Sequence, residues 1–93
     1  MEVFQSASFA RAVKKLPKNQ KFALDSEIRK ISADPSIGQE KKGDLAGVFV
    51  HKCRLGKSPF LLAYRHSSEI IELIMLGPHE NYYRDLKKRL HTD

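Results

Sequence analysis

The stretch VFVHKCRLGKSPFLLAYRHSSEIIELIMLG, residues 48–77, contains three runs rich in β-branched, aromatic and aliphatic residues. Two short polar linkers, GKSP and SSE, separate these runs. Linkers of this length and composition are typical of hairpin turns between neighbouring strands. The stretch therefore predicts an antiparallel meander with strands at residues 48–55, 60–66 and 70–77.

The segment before the meander predicts a short strand, EVFQS, followed by two helices. Two apolar sets recur at helical spacing: Phe9, Val13 and Leu16, then Leu24, Ile28 and Ile31. Ser6 or Ser8 can cap the first helix, and Pro17 ends it. Asn19 can cap the second helix or lie in its first turn, and Ala33-Asp34-Pro35 stops it. A helical hairpin is therefore expected between the first strand and the meander.

The remaining segments predict a loop and a terminal helix. Residues 35–47, PSIGQEKKGDLAG, are rich in glycine and charged residues and show neither the helical nor the strand periodicity of apolar residues. This pattern indicates a loop that contains at most a short turn. Tyr83, Leu86 and Leu90 lie at helical spacing, so a short helix should pack back on the body of the domain. The order β-α-α-β-β-β-α predicts an α+β domain at residues 1–93: a small antiparallel sheet with the helical hairpin on one face and a short C-terminal helix.

Composition narrows the function classes. Among 93 residues, 17 Lys and Arg stand against 11 Asp and Glu, a net charge of +6. Such a charge suits a polyanionic partner such as nucleic acid, although a solvated basic surface would look the same. No apolar run approaches the roughly 20 residues of a membrane helix, and the first residues lack the features of a signal peptide, so a cytoplasmic protein without a membrane partner is expected. With the single cysteine, Cys53, and no zinc-ligand spacing, neither a disulfide, a metal nor a cofactor is expected.

Strand alternation places basic side chains on one face of the meander. Phe49, Cys53 and Leu55 share the side that suits the helices, so Lys52 and Arg54 should project together onto the open face. Arg65 of the next strand faces the same way. The Gly77-Pro78 corner then brings His79 to the end of the last strand. Cys53 is expected to be a small buried residue without nucleophilic reactivity.

Basic side chains beside a histidine are a minimal set for phosphate chemistry. Cations stabilise charge that grows on phosphoryl oxygens, and an imidazole gives or takes a proton near neutral pH. Tyr83 falls on the Leu86-Leu90 stripe and is expected in the core, whereas Tyr82 at its flank is the better candidate for ligand contact. Each residue also fits a simpler structural role. Lys52 and Arg54 would then be solvent-exposed residues of the sheet, and His79 would be a residue in the first turn of a helix.

The chain resembles the RelE/ParE superfamily of bacterial type II toxins. The resemblance rests on the order and spacing of a strand, the hairpin FARAVKKLPKNQKFALDSEIRKISADP, the strands GDLAGVFVHKCRL and LLAYRH, and IIELIMLGPHENYYRDLKKRL. It covers nearly the whole length. It implies a toxin whose partners are a cognate antitoxin protein and, in the RelE branch, the ribosome and its mRNA.

RelE-branch members resemble metal-independent, ribosome-dependent endoribonucleases that cut mRNA. By this resemblance Lys52 is a base or electrostatic support, Arg54 and Arg65 stabilise the phosphorane, and His79 protonates the leaving 5′-oxygen. Tyr82 or Tyr83 corresponds to the C-terminal aromatic of the family. The predicted catalytic residues are His79, Lys52, Arg54 and Tyr82, and the predicted RNA or phosphate contacts are Arg65, Tyr83, Arg84 and Lys57.

Two alternatives stay open at the level of sequence. ParE-like members poison DNA gyrase without nuclease activity, and Leu61 stands where some RelE-like nucleases carry an arginine. A non-catalytic RNA-binding module would also account for the charge.

Overall fold

The computed structural model describes residues 2–92 and confirms the predicted α+β class. Its strands and helices, in chain order, are β1 Glu2–Gln5, α1 Ala7–Lys14, α2 Lys18–Ala33, β2 Gln39–Glu40, β3 Phe49–Leu55, β4 Ser58–His66, β5 Ile70–Gly77 and α3 Tyr82–Thr92. Single 3-10 turns at Pro35–Ile37 and Gly43–Leu45 flank β2. Among residues 2–92, no helix has the length and apolarity needed to cross a membrane.

The helical hairpin begins and ends where the sequence signals predict. The Ser6 Oγ accepts a hydrogen bond from the Phe9 backbone N–H at 3.0 Å and so caps α1. The same hydroxyl donates to the Ile74 carbonyl at 2.6 Å, which ties the start of the helix to β5. After Pro17 the chain enters α2, which ends at Ala33 ahead of Asp34-Pro35. The hairpin is thus fixed by local residue chemistry.

The five strands form one sheet in the order β1-β5-β4-β3-β2. The meander β3-β4-β5 is antiparallel, as predicted, and only two residues, Gly56 and Lys57, join β3 to β4. Gly56 has φ +68°, which glycine adopts at little cost in a tight turn.

Two features of the sheet differ from the sequence prediction. β1 pairs with β5 in parallel, a pairing between the first and the last strand of the chain. β2, within the predicted loop, pairs antiparallel with β3 through only two residues. A strand of two residues is too short to show a period of two, so the sequence pattern could not reveal it.

The helical hairpin covers one face of the sheet. Leu55 is fully buried there, and Phe49 and Cys53 are partly buried against the same cluster, as predicted. The buried residues of this layer are Phe9, Leu24, Ile31, Leu55, Leu62, Tyr64, Ile71, Leu73 and Leu76. Burying such side chains is the main source of stability for a domain of this size.

Helix α3 covers part of the opposite face, which the sequence prediction had left open. Tyr82 and Leu86 of α3 join a second buried cluster with Leu45, Val48, Val50, Leu61, Ala63, Ile74 and Met75. The helix reaches Val50 and Leu61, whereas Lys52 and Arg54 farther along β3 remain exposed. One uncovered part of this face therefore lies at the end of the sheet near the β3–β4 turn.

Candidate functional site

The uncovered end of the sheet forms a groove of about 550 Å³. Lys52, Leu61 and Gly77 are direct neighbours across β3, β4 and β5, and His79 follows Gly77 by two residues. Strand spacing places the Cα atoms of Lys52 and Gly77 about 10 Å apart. The residues that line the groove are Lys52, Cys53, Arg54, Pro59, Phe60, Leu61 and His79.

The groove has an apolar floor and a basic rim. Leu61 on the floor is only 3% exposed, whereas Lys52, Arg54 and His79 are exposed. The Arg54 guanidinium donates to the Lys57 carbonyl at 3.4 Å, a long contact that holds it beside the β3–β4 turn. Three of the residues predicted from sequence as catalytic therefore lie around one groove, and Lys57 lies next to it. Two cations and an imidazole around one groove can bind a phosphate and move a proton.

A second groove, of about 660 Å³, runs along α3 and is less suited to an anion. Its lining holds the carboxylates of Glu80 and Asp85 together with the cations of Lys88 and Arg89, so the formal charges cancel, whereas the groove at Lys52 carries Lys52, Arg54 and His79. The groove at Lys52 is therefore the better candidate for phosphate chemistry.

Tyr83 supports the position of His79 from the side. Their ring centroids are 6.1 Å apart with an edge-to-face angle of 82°. Just before Tyr83 the chain turns through Asn81, which has φ +58°, a conformation that asparagine tolerates better than most residues. Tyr83 is half-buried and packs against the buried cluster beneath α3.

Lys41 contacts Tyr83, and the sequence did not predict this contact. Its Nζ lies 4.9 Å from the Tyr83 ring centroid, a cation–π contact. The backbone N–H of Lys41 donates to the Val48 carbonyl at 2.9 Å, which fixes the residue beside β3. The basic pair Lys41-Lys42 was visible in the sequence, but nothing in its spacing links a loop residue to the first turn of α3.

The predicted exposure of Tyr82 is wrong. Tyr82 is 2% exposed, and its hydroxyl donates to the Met75 carbonyl at 2.7 Å. Burial raises the pKa of the Tyr82 phenol far above its ordinary value, although a hydrogen bond with the Ala63 backbone partly offsets this. Helix phase explains the error, because Tyr82-Leu86 at i, i+4 and Tyr83-Leu86 at i, i+3 are both helical spacings. Tyr82 is thus a core residue, and Tyr83 is the tyrosine that lies beside His79.

Arg65 does not lie at the groove. It faces the same side of the sheet as Leu61, as predicted, but four residues farther along β4, which is about 13 Å. There it lies 3.4 Å from Glu72 on β5. Arg84, predicted to contact RNA, is exposed on α3 with its Nε 3.6 Å from Asp85.

Cys53 and His51 belong to the helix-facing side of β3. Burial, followed by the negative charge of Glu27, raises the pKa of the Cys53 thiol to about 11. A thiol with this pKa is protonated at neutral pH and is a poor nucleophile. The His51 Nε2 lies 2.8 Å from the Glu27 carboxylate of α2. This contact joins α2 to β3.

Metal ligands are not grouped in the described part of the chain. Within residues 2–92, no three or more His, Cys, Asp and Glu side chains come close enough together to hold a metal ion.

Solved structures of similar fold include bacterial toxins and toxin–antitoxin complexes. An E. coli RelE mutant in the free state aligns with TM-score 0.74 at 18% identity, over 96% of this chain and 96% of that chain. The E. coli RelBE toxin–antitoxin complex gives TM-score 0.70 at 18% identity, over 85% of this chain and 96% of that chain. A YoeB/ParE toxin from Agrobacterium tumefaciens gives TM-score 0.69 at 20% identity, over 85% and 99%. Compared with curated proteins, the chain matches none.

These similarities define the class of the fold, which is that of the RelE-like toxins. Residues 3–87 match the model of the ParE-like toxins of type II bacterial toxin–antitoxin systems. The chain belongs to this family, and the resemblance noted from the sequence is confirmed.

Proposed function

We propose that this toxin is a metal-independent endoribonuclease that cleaves mRNA on the ribosome. The observation that carries the proposal is the groove in which His79, from the corner after β5, lies with Lys52 and Arg54 of β3. The resemblance to the RelE branch supports the ribosome and its mRNA as targets. A nuclease of this kind acts in the cytoplasm.

The residues around the groove suit an attack by the RNA itself. The 2′-hydroxyl attacks the adjacent phosphorus, a 2′,3′-cyclic phosphate forms, and the bond to the 5′-oxygen breaks. Lys52 and Arg54, both cations, stabilise the negative charge of the phosphorane, while the 2′-hydroxyl proton passes to a water molecule. His79, as imidazolium, donates a proton to the leaving 5′-oxygen.

The apolar floor has a separate role in this proposal. Leu61 and Pro59 offer a surface on which a base or ribose can rest while the phosphate meets the rim. Tyr83, which packs edge-on against His79, limits the positions available to the imidazole. Tyr82 and Arg65 have no part in the chemistry, because one is buried and the other lies elsewhere on the sheet.

The test is primer extension on mRNA from cells that briefly express the protein or its His79→Ala variant. Removing a general acid lowers cleavage by about 100-fold or more. We therefore expect discrete cuts that require translation in the parent and that vanish in the variant. His91→Ala is the matched control, since His91 is exposed near the end of α3, and it should leave the cuts unchanged.

Full growth inhibition by His79→Ala would show that the imidazole is not the acid. Intact mRNA in cells expressing the parent would refute the nuclease itself.

A second candidate function is inhibition of DNA gyrase in the manner of ParE-like toxins. The observation in its favour is Leu61, which lies on the groove floor where some RelE-like nucleases carry an arginine. Under this function the groove is a protein-binding surface. Induction of the DNA-damage response with intact mRNA would favour it.

A cognate antitoxin is the partner proposed under either function. The solved E. coli relative is a RelBE toxin–antitoxin complex. An acidic or amphipathic segment suits a basic groove of this kind and would cover the site. We expect the isolated chain to inhibit growth and an adjacent small open reading frame to relieve the inhibition when both are expressed together.

A further inference from the structure

Phe22 on α2 is the most exposed large hydrophobic side chain in the described part of the chain, at 71%. It lies outside the groove and outside both core clusters. Together with Lys18, Lys21 and Asp25 it forms a shallow pocket of about 310 Å³ on the outer side of the helix. An aromatic ring held open to water between two lysines has no role in packing this domain.

The surface around Phe22 is basic. Lys14 and Lys15 end α1, and Lys18 and Lys21 follow in the first turns of α2, all four of them exposed. The acidic member, Asp25, lies 3.0 Å from Arg29 one turn later. The negative charge of Asp25 is therefore balanced within α2, and the lysines retain their net positive field.

This surface is continuous with the groove. The Gln20 side-chain amide donates to the Leu55 carbonyl at 3.3 Å and to the Ser58 hydroxyl at 3.4 Å. The first turn of α2 therefore packs directly on the β3–β4 turn, which carries the exposed Lys57. Exposed basic side chains therefore lie on both sides of this turn: Lys52 and Arg54 at the groove, and Lys18 and Lys21 beside Phe22. We name Lys18, Lys21 and Phe22 the Phe22 patch.

We propose that the Phe22 patch binds RNA outside the cleavage groove, with a base stacked on Phe22 and phosphates beside Lys18 and Lys21. The proposal rests on the proposed nuclease function, because it takes RNA as the ligand of the neighbouring groove. Single-stranded nucleic acid is bound by this combination of a positively charged surface with an exposed aromatic ring, since every base has a face that can stack. The β3–β4 turn connects the two surfaces, because Arg54 of the groove contacts the Lys57 carbonyl and Gln20 of α2 contacts Ser58.

The test uses the purified chain and a fluorescently labelled single-stranded oligonucleotide of 2′-O-methyl RNA, which offers no 2′-hydroxyl for cleavage. Fluorescence anisotropy gives the Kd at several potassium chloride concentrations. Phe22→Ala should weaken binding by about fivefold to 100-fold, as expected for one stacked base, and Phe22→Trp should retain it. The Lys18→Ser, Lys21→Ser double variant should reduce the slope of log affinity against log salt by about 1.4, that is, about 0.7 for each phosphate contact on a single strand.

Phe4→Ala is the matched control. Phe4 is also an exposed phenylalanine, at 52%, but it lies on β1 at the sheet edge opposite β2. The Phe4→Ala variant should bind the oligonucleotide with the same Kd as the parent. Equal losses for Phe4→Ala and Phe22→Ala would refute specific stacking.

Lys52→Ala separates this proposal from the proposed function. If Lys52→Ala weakens binding and Phe22→Ala does not, the patch proposal is wrong and the groove remains an RNA site. If the parent chain does not bind the oligonucleotide, the patch proposal fails, whereas the ribosome-dependent nuclease is decided separately by primer extension. Loss of binding to phosphatidylglycerol vesicles in Phe22→Ala, with RNA affinity unchanged, would overturn the RNA assignment in favour of a lipid surface.

Discussion

Replacing Tyr82 with phenylalanine should weaken the fold and leave the proposed chemistry intact. The Tyr82 ring is 2% exposed, and its hydroxyl donates to the Met75 carbonyl at 2.7 Å. The variant keeps the ring and loses this hydrogen bond inside the cluster beneath α3. A buried hydrogen bond that is lost in this way, with its acceptor left in place, costs about 1–2 kcal/mol.

Thermal unfolding followed by circular dichroism measures this cost. For a domain of 60–100 residues, each kcal/mol corresponds to about 4–8 °C, so Tyr82→Phe should lower the Tm by about 4–16 °C. Primer extension at a temperature well below the Tm should show the cuts of the parent. The phenol cannot serve as an acid at neutral pH, because burial raises its pKa.

Tyr83→Phe is the neighbouring control. Tyr83 is half-buried beside His79, and loss of its hydroxyl should change the free energy of unfolding by less than about 0.5 kcal/mol. The reasoning is refuted if Tyr82→Phe melts like the parent and yet loses cleavage. That result would return the Tyr82 hydroxyl to the chemistry.

Two further predictions follow from ion pairs outside the groove. Arg65→Ala should leave mRNA cleavage unchanged in primer extension, because Arg65 lies 3.4 Å from Glu72 and about 13 Å from Leu61. A variant that lost the cuts but kept the stability of the parent would instead place Arg65 at the site. Glu27→Gln should lower stability in urea unfolding at pH 7. Burial raises the pKa of the Glu27 carboxyl, but the hydrogen bond with His51 and the contacts with Lys30 outweigh this and leave it below its ordinary value of 4.5. A lowered folded pKa adds stability that is present above pH 4.5 and is lost as the pH falls through the folded pKa. The free energies of unfolding of parent and variant should therefore converge in acid. A constant difference between them down to the lowest pH would contradict this assignment.

The helices and the meander follow from local residue chemistry, and for this reason the sequence predicted them. Ser6 caps α1, Pro17 separates the two helices, and the short linkers after Leu55 and His66 turn the strands. Each of these signals acts over a few residues and does not depend on distant contacts. The parallel pairing of β1 with β5 and the two-residue β2 depend on partners far along the chain, so no local pattern reports them.

The positions of candidate site residues were predictable where they depend on a single strand or a single turn. The period of two put Lys52 and Arg54 on one face, and the Gly77-Pro78 corner placed His79 after β5. Sequence position did not give distances along or across the sheet. Arg65 shares a face with Leu61 but lies too far along β4, and Lys41 contacts Tyr83 because its backbone is hydrogen-bonded to Val48 beside β3.

The sequence by itself determined the fold class, the family resemblance and the basic strand, since these depend on residue order, periodicity and charge. The tertiary structure decided which tyrosine is buried and which cations surround the groove. It also placed the exposed Phe22 and its lysines beside the β3–β4 turn. The physical reason is that helix phase and strand register are fixed by packing between elements. When a helix has two possible apolar faces, the face that packs more closely against the sheet becomes the buried one.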